Sequence, residues 1–257
     1  MNRIAIFISG RLNCYETDLY PQLVQFVKQD NLQIDLFCAL NCDRTEYYLK
    51  AEKLLASWLK RIEYEIYVPP EDFHCKEARD VNTNDRIYFN TLSMFYNDKK
   101  AYKMIEEYSK QNNIHYKLIS KFRADITLKN NFTFPFLNSD DPKLYCSIPP
   151  CSVFLKGNLE PRFRMVTDAF AFGTPEVMKH YCRTYDFLVK TMRERNYKYT
   201  IVFELTLTES FYNIVVEDFT PEECAAKISK ILPELPYPRV DFECPYVINQ
   251  SRREKRI

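Results

Sequence analysis

The chain has 257 residues, 46% hydrophobic and 28% charged, the balance of a folded globular protein rather than a disordered or fibrous one. Lys and Arg number 36 against 35 Asp and Glu, and a net charge of +1 excludes a strong global field for nucleic acid or an anionic membrane. Any anion must therefore be held locally. The 9 cysteines are odd in number and scattered through apolar runs, which predicts reduced, buried thiols rather than a disulfide framework.

The opening run Ile4-Ala5-Ile6-Phe7-Ile8 stops at Ser9-Gly10-Arg11, too short for a signal peptide. No run approaches the about 20 apolar residues of a membrane span, so a cytoplasmic protein with no transmembrane segment is expected. Residues 3–9 read as a first strand, and Leu19, Leu23, Phe26 and Val27 recur at helical spacing over 17–28. A second strand is expected over 33–40, a helix over 46–59 and a third strand over 61–68, closed by Pro69-Pro70. The polar stretch 71–81 reads as a loop able to close over a site. Asn82-Thr83-Asn84 supplies N-cap material for a long helix to about Asn112, and a strand follows over 116–122.

Beyond it, strands are expected over 144–148 and 167–172, and Pro175 opens a helix at its first-turn position running to Arg195. A helix over 200–212, a last strand over 214–219 and a solvated basic tail over 251–257 complete the pattern. Strand-length runs alternating with helix-period segments predict an α/β fold: one domain with a mostly parallel central sheet flanked by helices.

Chemistry concentrates where strands end. Arg123-Ala124-Asp125 follows the strand over 116–122, and ligands in open α/β sheets bind beyond the carboxyl ends of strands. If the stretch is extended, Arg123 and Asp125 project on one side. There the carboxylate could hold a divalent cation and the guanidinium could meet a phosphate bidentately. A surface ion pair at a strand end is the plainer alternative. Ser9-Gly10-Arg11 offers a backbone turn for close approach to a ligand and a guanidinium for a phosphate or base, or simply an ordinary βα turn. No GxGxxG or P-loop is present, which argues against dinucleotide enzymes and kinases.

The strand ending in Ser9-Gly10-Arg11, the stretches 93–102 and 116–125, and Thr167-Asp168-Ala169-Phe170-Ala171-Phe172-Gly173 together resemble a group of GT-A-fold (Rossmann-like) glycosyltransferases. In that group an Arg-x-Asp motif replaces the usual Asp-x-Asp. The blocks occur in the expected order over roughly the first two-thirds of the chain.

The resemblance implies a transferase that moves a sugar from a UDP- or GDP-linked donor to a glycan or other acceptor, with Mn2+ or Mg2+ assisting. It implies Asp125 as metal ligand and Arg123 as diphosphate or sugar contact. Ser9, Gly10 and Arg11 fall on the nucleotide side, and Asp168 near the donor sugar or acceptor. On this reading 1–125 form the nucleotide-binding half and 126–250 the acceptor side. Loss of the first aspartate of Asp-x-Asp gives Arg123 part of the cation's electrostatic role.

A base is also needed if the reaction inverts the anomeric centre. Glu204 sits in apolar Ile201-Val202-Phe203-Glu204-Leu205, where desolvation would raise its pKa; a helix residue paired with a neighbouring cation is the other reading, and Asp168 competes for the role. Arg162 and Arg164 could bind phosphate from a loop or be simply solvated. His74-Cys75, Cys38 with Cys42, and Cys146 with Cys151 lack the paired CxxC pattern of zinc sites, and His115 and His180 have no nearby nucleophile. A sugar nucleotidyltransferase would show a glycine-rich loop after the first strand, which only 3 glycines in the whole chain do not supply. A non-catalytic scaffold that binds glycan or protein through its aromatic residues is the other rival. The high Lys, Asn, Tyr and Ile content suggests an AT-rich microbial or viral genome.

Overall fold

In the computed structural model the described residues are 2–30, 32–74, 85–128, 132–134, 143–147, 166–195, 203–213, 223, 226, 230, 239–242 and 246–248. Ile4–Ile8 are fully buried, and their strand β1 (Asn2–Gly10) pairs in parallel with β2 (Leu32–Leu40) along its whole length. Strands apolar on both faces need cover on both faces, and the helices supply it. Beside β2 lies β3 (Leu59–Tyr64), and on the other side of β1 lies β4 (Leu118–Phe122), all parallel.

The seven-stranded sheet runs β3-β2-β1-β4-β7-β6-β8, where β6 is Leu144–Ser147, β7 Phe170–Gly173 and β8 Arg239–Phe242. Strand β7 is antiparallel to both β4 and β6. A separate ribbon joins β5 (Ile126–Leu128) to β9 (Tyr246–Ile248). The mostly parallel α/β sheet that the sequence predicts is therefore what the chain forms.

One core, with Ile6, Ile8, Leu36 and Phe122, lies on the sheet face that also packs Leu23 and Phe26 of α1 (Tyr20–Asp30) and Ala51 and Leu55 of α2 (Glu46–Leu55). The other, with Ala5, Phe7 and Ile119, packs against α3 (Asp85–Asn112), α4 (Pro175–Cys182), α5 (Thr184–Glu194) and α6 (Phe203–Tyr212). Thr174 caps α4, its Oγ1 accepting from Val177 N at 3.4 Å, with Pro175 in the first turn as expected.

Several boundaries depart from the sequence expectation, each for a local reason. The helix expected over 46–59 stops at Leu55, because Trp58 turns back (Trp58 N to Leu55 O, 3.0 Å) and its carbonyl enters the sheet by accepting from Leu36 N at 2.8 Å. Strand β3 ends at Tyr64 rather than at 68, since its partner β2 ends at Leu40. The helix expected from Thr17 begins as a π-turn over Tyr15–Leu19, after Cys14 in left-handed backbone (φ 59°). Pro21, with no N–H to give, is tolerated where that wide turn meets α1.

The helix expected over 175–195 is split at Arg183, where Thr184 Oγ1 donates to Tyr181 O at 2.9 Å in competition with the backbone ladder. Strand β7 starts at Phe170 rather than 167, because Ala169 N bonds Thr167 Oγ1 at 3.3 Å and bends the chain. The strand expected over 214–219, the tail 251–257, and Arg162 with Arg164 lie outside the described residues. Glu204 falls in α6, but its side chain also lies outside them.

Candidate active site

Strand order reverses at β1: β2 and β3 go to one side and β4 to the other, so the carboxyl ends of β1 and β4 flank a switch-point crevice. Gly10 closes β1 with φ +89°, a conformation costly for any residue with a Cβ, and among the described residues beyond its two chain neighbours no heavy atom lies within 4 Å of where that Cβ would stand. Glycine is required here by backbone conformation, and the space before it is open. The Gly10 carbonyl accepts from Asn41 N at 2.7 Å, which ties the turn to the end of β2. Arg11 is exposed beyond it.

At the end of β4 the structure corrects one expectation: Arg123 and Asp125 are in a turn, not an extended strand. They still meet, through a fork. Arg123 Nε donates to Asp125 Oδ1 at 3.0 Å and Nη2 to Oδ2 at 2.9 Å, the bidentate geometry that makes Arg–carboxylate pairs strong. Asp168 approaches from the other side, its Oδ2 3.9 Å from Arg123 Nη1. The backbone sets this approach, since Arg123 N donates to Ala169 O at 3.1 Å and extends the β4–β7 ladder by one bond. All three side chains are partly exposed, at 25%, 26% and 14% for Arg123, Asp125 and Asp168.

Beneath this rim lies a buried layer that sequence reasoning did not single out. Lys121 of β4 and Asp98 of α3 are both almost fully buried and pair at 2.6 Å, and Ser9 Oγ donates to the second Asp98 oxygen. Burial pushes the Asp98 carboxyl up, Lys121 and Ser9 pull it back, and the nearby Asp168 charge adds an upward push. The Lys121 ammonium stands 5.9 Å from the centroid of the Tyr181 ring, whose hydroxyl donates to Thr167 O at 2.9 Å. The available signal was a lysine in the strand read as ending at the site; alternation with Leu118, Ser120 and Phe122 disguised it as solvent-facing.

Among the described residues the cluster thus holds Lys121 and Arg123 against Asp98, Asp125 and Asp168, one negative charge in excess when all are ionised. Among the described residues no group of three or more His, Cys, Asp or Glu forms a ready metal cage. A hard divalent cation that arrives with phosphates needs only one or two protein carboxylates, and the surplus carboxylate fits that demand. Asp125 would hold it, once its fork with Arg123 opens. Cys38, Cys146 and Cys182 are buried, and His180 Nε2 lies 3.0 Å from Phe211 O, its pKa lowered by burial.

No protein-family model matches the sequence, and no curated protein matches it. Among solved structures it is similar to a glycosyltransferase involved in glycosylation of the major capsid of PBCV-1, at 7% identity and TM-score 0.36 over 95% of this chain and 83% of that one. It is also similar to the galactosyltransferase LgtC with donor and acceptor sugar analogues, at 12% identity and TM-score 0.45 over 80% and 69%. A third similarity is to HddC from Yersinia pseudotuberculosis, at 11% identity and TM-score 0.36 over 99% and 97%. At these values none of the three assigns an activity to this chain. Among the described residues no helix is long and apolar enough to cross a membrane.

Proposed function

We propose that the protein is a glycosyltransferase that moves a sugar from a UDP- or GDP-linked donor to a glycan or other acceptor hydroxyl, with a divalent cation assisting. The observation that carries this reading is the carboxylate–guanidinium–carboxylate arrangement of Asp125, Arg123 and Asp168 at the switch-point end of the sheet. A fork already shaped for a carboxylate is equally shaped for a phosphate, so Arg123 can exchange Asp125 for the donor diphosphate. Ser9, Gly10 and Arg11 then face the nucleotide. Residues 1–125 supply the nucleotide side, and 126–250 the acceptor side.

The acceptor oxygen attacks the anomeric carbon while the bond from that carbon to the diphosphate oxygen breaks. Arg123 stabilises the charge growing on the departing phosphate. Asp168, partly buried beside Arg123, takes the proton from the acceptor hydroxyl; Glu204 is the competing base. Asp125 would hold a divalent cation, which would supply further charge neutralisation at the diphosphate.

The test is calorimetric titration of a panel of UDP- and GDP-sugars with and without Mn2+, repeated on Asp125→Ala. Selective, metal-dependent binding that disappears in the variant is the expected result. A folded protein that binds none of the panel would replace the transferase reading with that of a non-catalytic scaffold.

A further inference from the structure

Lys121 lies in the sheet interior, 1% exposed, next to Phe7 of β1 in register, with Asp98 2% exposed above it. A buried ion pair is seldom the most stabilising choice for such a place, because apolar residues of similar volume hold a core as well or better. This pair is instead the middle of a continuous chain of contacts. One Asp98 oxygen accepts a hydrogen bond from the Ser9 hydroxyl and the other accepts one from Lys121. Lys121 stands by the Tyr181 ring, and Tyr181 holds the carbonyl of Thr167, one residue before Asp168. The chain therefore links the end of β1 to the segment that carries Asp168.

We propose that Asp98 and Lys121 are positioning residues for the candidate site: the pair fixes the Ser9 hydroxyl, and with it the Gly10 turn, against the Asp168 segment. With its only proton committed to Asp98, Ser9 has only lone pairs left to offer a ligand. The Gly10 turn is otherwise tied to β2 through the bond from Asn41 N to Gly10 O, so the Asn41 amide reports on its order. The ligand part of this inference rests on the nucleotide-sugar reading; the positioning part does not.

Two double variants test it. Asp98→Leu with Lys121→Met replaces the pair by apolar side chains and leaves Ser9 without its acceptor, whereas Asp98→Asn with Lys121→Met removes both charges but keeps an acceptor. The Leu/Met variant is expected to melt near the wild-type temperature, while the Asn41 amide exchanges about tenfold faster or more and UDP or GDP binds about tenfold more weakly. The Asn/Met variant is expected to recover most of both. Unchanged Asn41 exchange in the Leu/Met variant, equal losses in the two variants, or faster exchange spread over the whole sheet with a matching fall in melting temperature would each overturn the proposal.

If neither double variant folds, Ser9→Ala gives the same decision at the Asn41 amide with the ion pair in place: faster exchange supports the proposal, and unchanged exchange overturns it. If wild type binds neither UDP nor GDP, the exchange data still decide the positioning role, and the nucleotide reading alone fails.

Discussion

The two ends of the parallel sheet treat carboxylates in opposite ways. At the amino end, Asp35 is completely buried and meets Arg3 at 2.7 Å, Lys60 at 3.7 Å and the Tyr116 hydroxyl at 2.6 Å. One carboxylate there faces two cations and a phenol. Asp35 holds Arg3 further toward its charged form, and burial with the Asp35 bond pushes Tyr116 up. At the carboxyl end, among the described residues, three carboxylates face two cations. The first arrangement is closed upon itself and clasps β1, β2 and the lead-in to β4; the second has unspent negative charge at a mouth that water reaches. Sign of the imbalance, rather than the presence of an ion pair, separates the clasp from the candidate site.

The comparison can be broken most forcefully at Asp168. Asp168→Asn is expected to lower turnover about 100-fold with donor affinity little changed, as single-turnover kinetics beside calorimetry would read; undiminished turnover would remove Asp168 as the base. At the opposite end, Asp35→Asn is expected to cost about 2 kcal/mol in urea unfolding, at the low side for a broken buried pair because Arg3 and Lys60 reach water. Its nucleotide affinity should equal wild type, and a matching loss of affinity would erase the distinction between the two ends.

Arg123→Lys sharpens the comparison further. It keeps the charge and loses the fork, so donor affinity should fall about tenfold by titration. The smallest effect lies away from both ends. The Glu65 carboxyl is held below the usual range by its hydrogen bonds from Lys100 and Tyr96, with burial opposing. A lowered folded-state pKa gives stability that is present above the ordinary glutamate value and lost as pH falls through the folded one. Melting curves across that acid window should show Glu65→Gln flattening the fall by about one degree, as befits an exposed pair.

Most of the sheet was legible because burial on two faces leaves no choice of residue: Ile4–Ile8 and Leu36–Leu40 read as strands for that reason alone. Boundaries were not, where a side chain or a partner strand decided them, as with Thr184 at the helix break or Leu40 at the end of β3. Arg123 and Asp125 were legible as residues at the end of a strand, although the sequence could not tell a turn from an extended pair, and Asp168 was named only through the resemblance. Asp98 and Lys121 were hidden for a physical reason. A lysine in an alternating strand and an aspartate beside Lys99 and Lys100 in a helix both carry the pattern of a solvated face, and only the packing of α3 across β1 and β2 brings them together.

Among the described residues strand β3 ends the sheet on one side, and an edge strand carries backbone groups that can recruit a strand from another molecule. Here Lys60, Arg61 and Glu63 punctuate β3, with Arg61 bridging Glu63 and Glu107 at 2.6 Å each and Lys100 bridging Glu63 at 3.0 Å. These side chains add little to folding free energy, but they make a second strand pay in desolvated charge before it can dock. Neutralising Arg61 and Glu63 together is expected to invite edge-to-edge association without disturbing the crevice on the far side of β2.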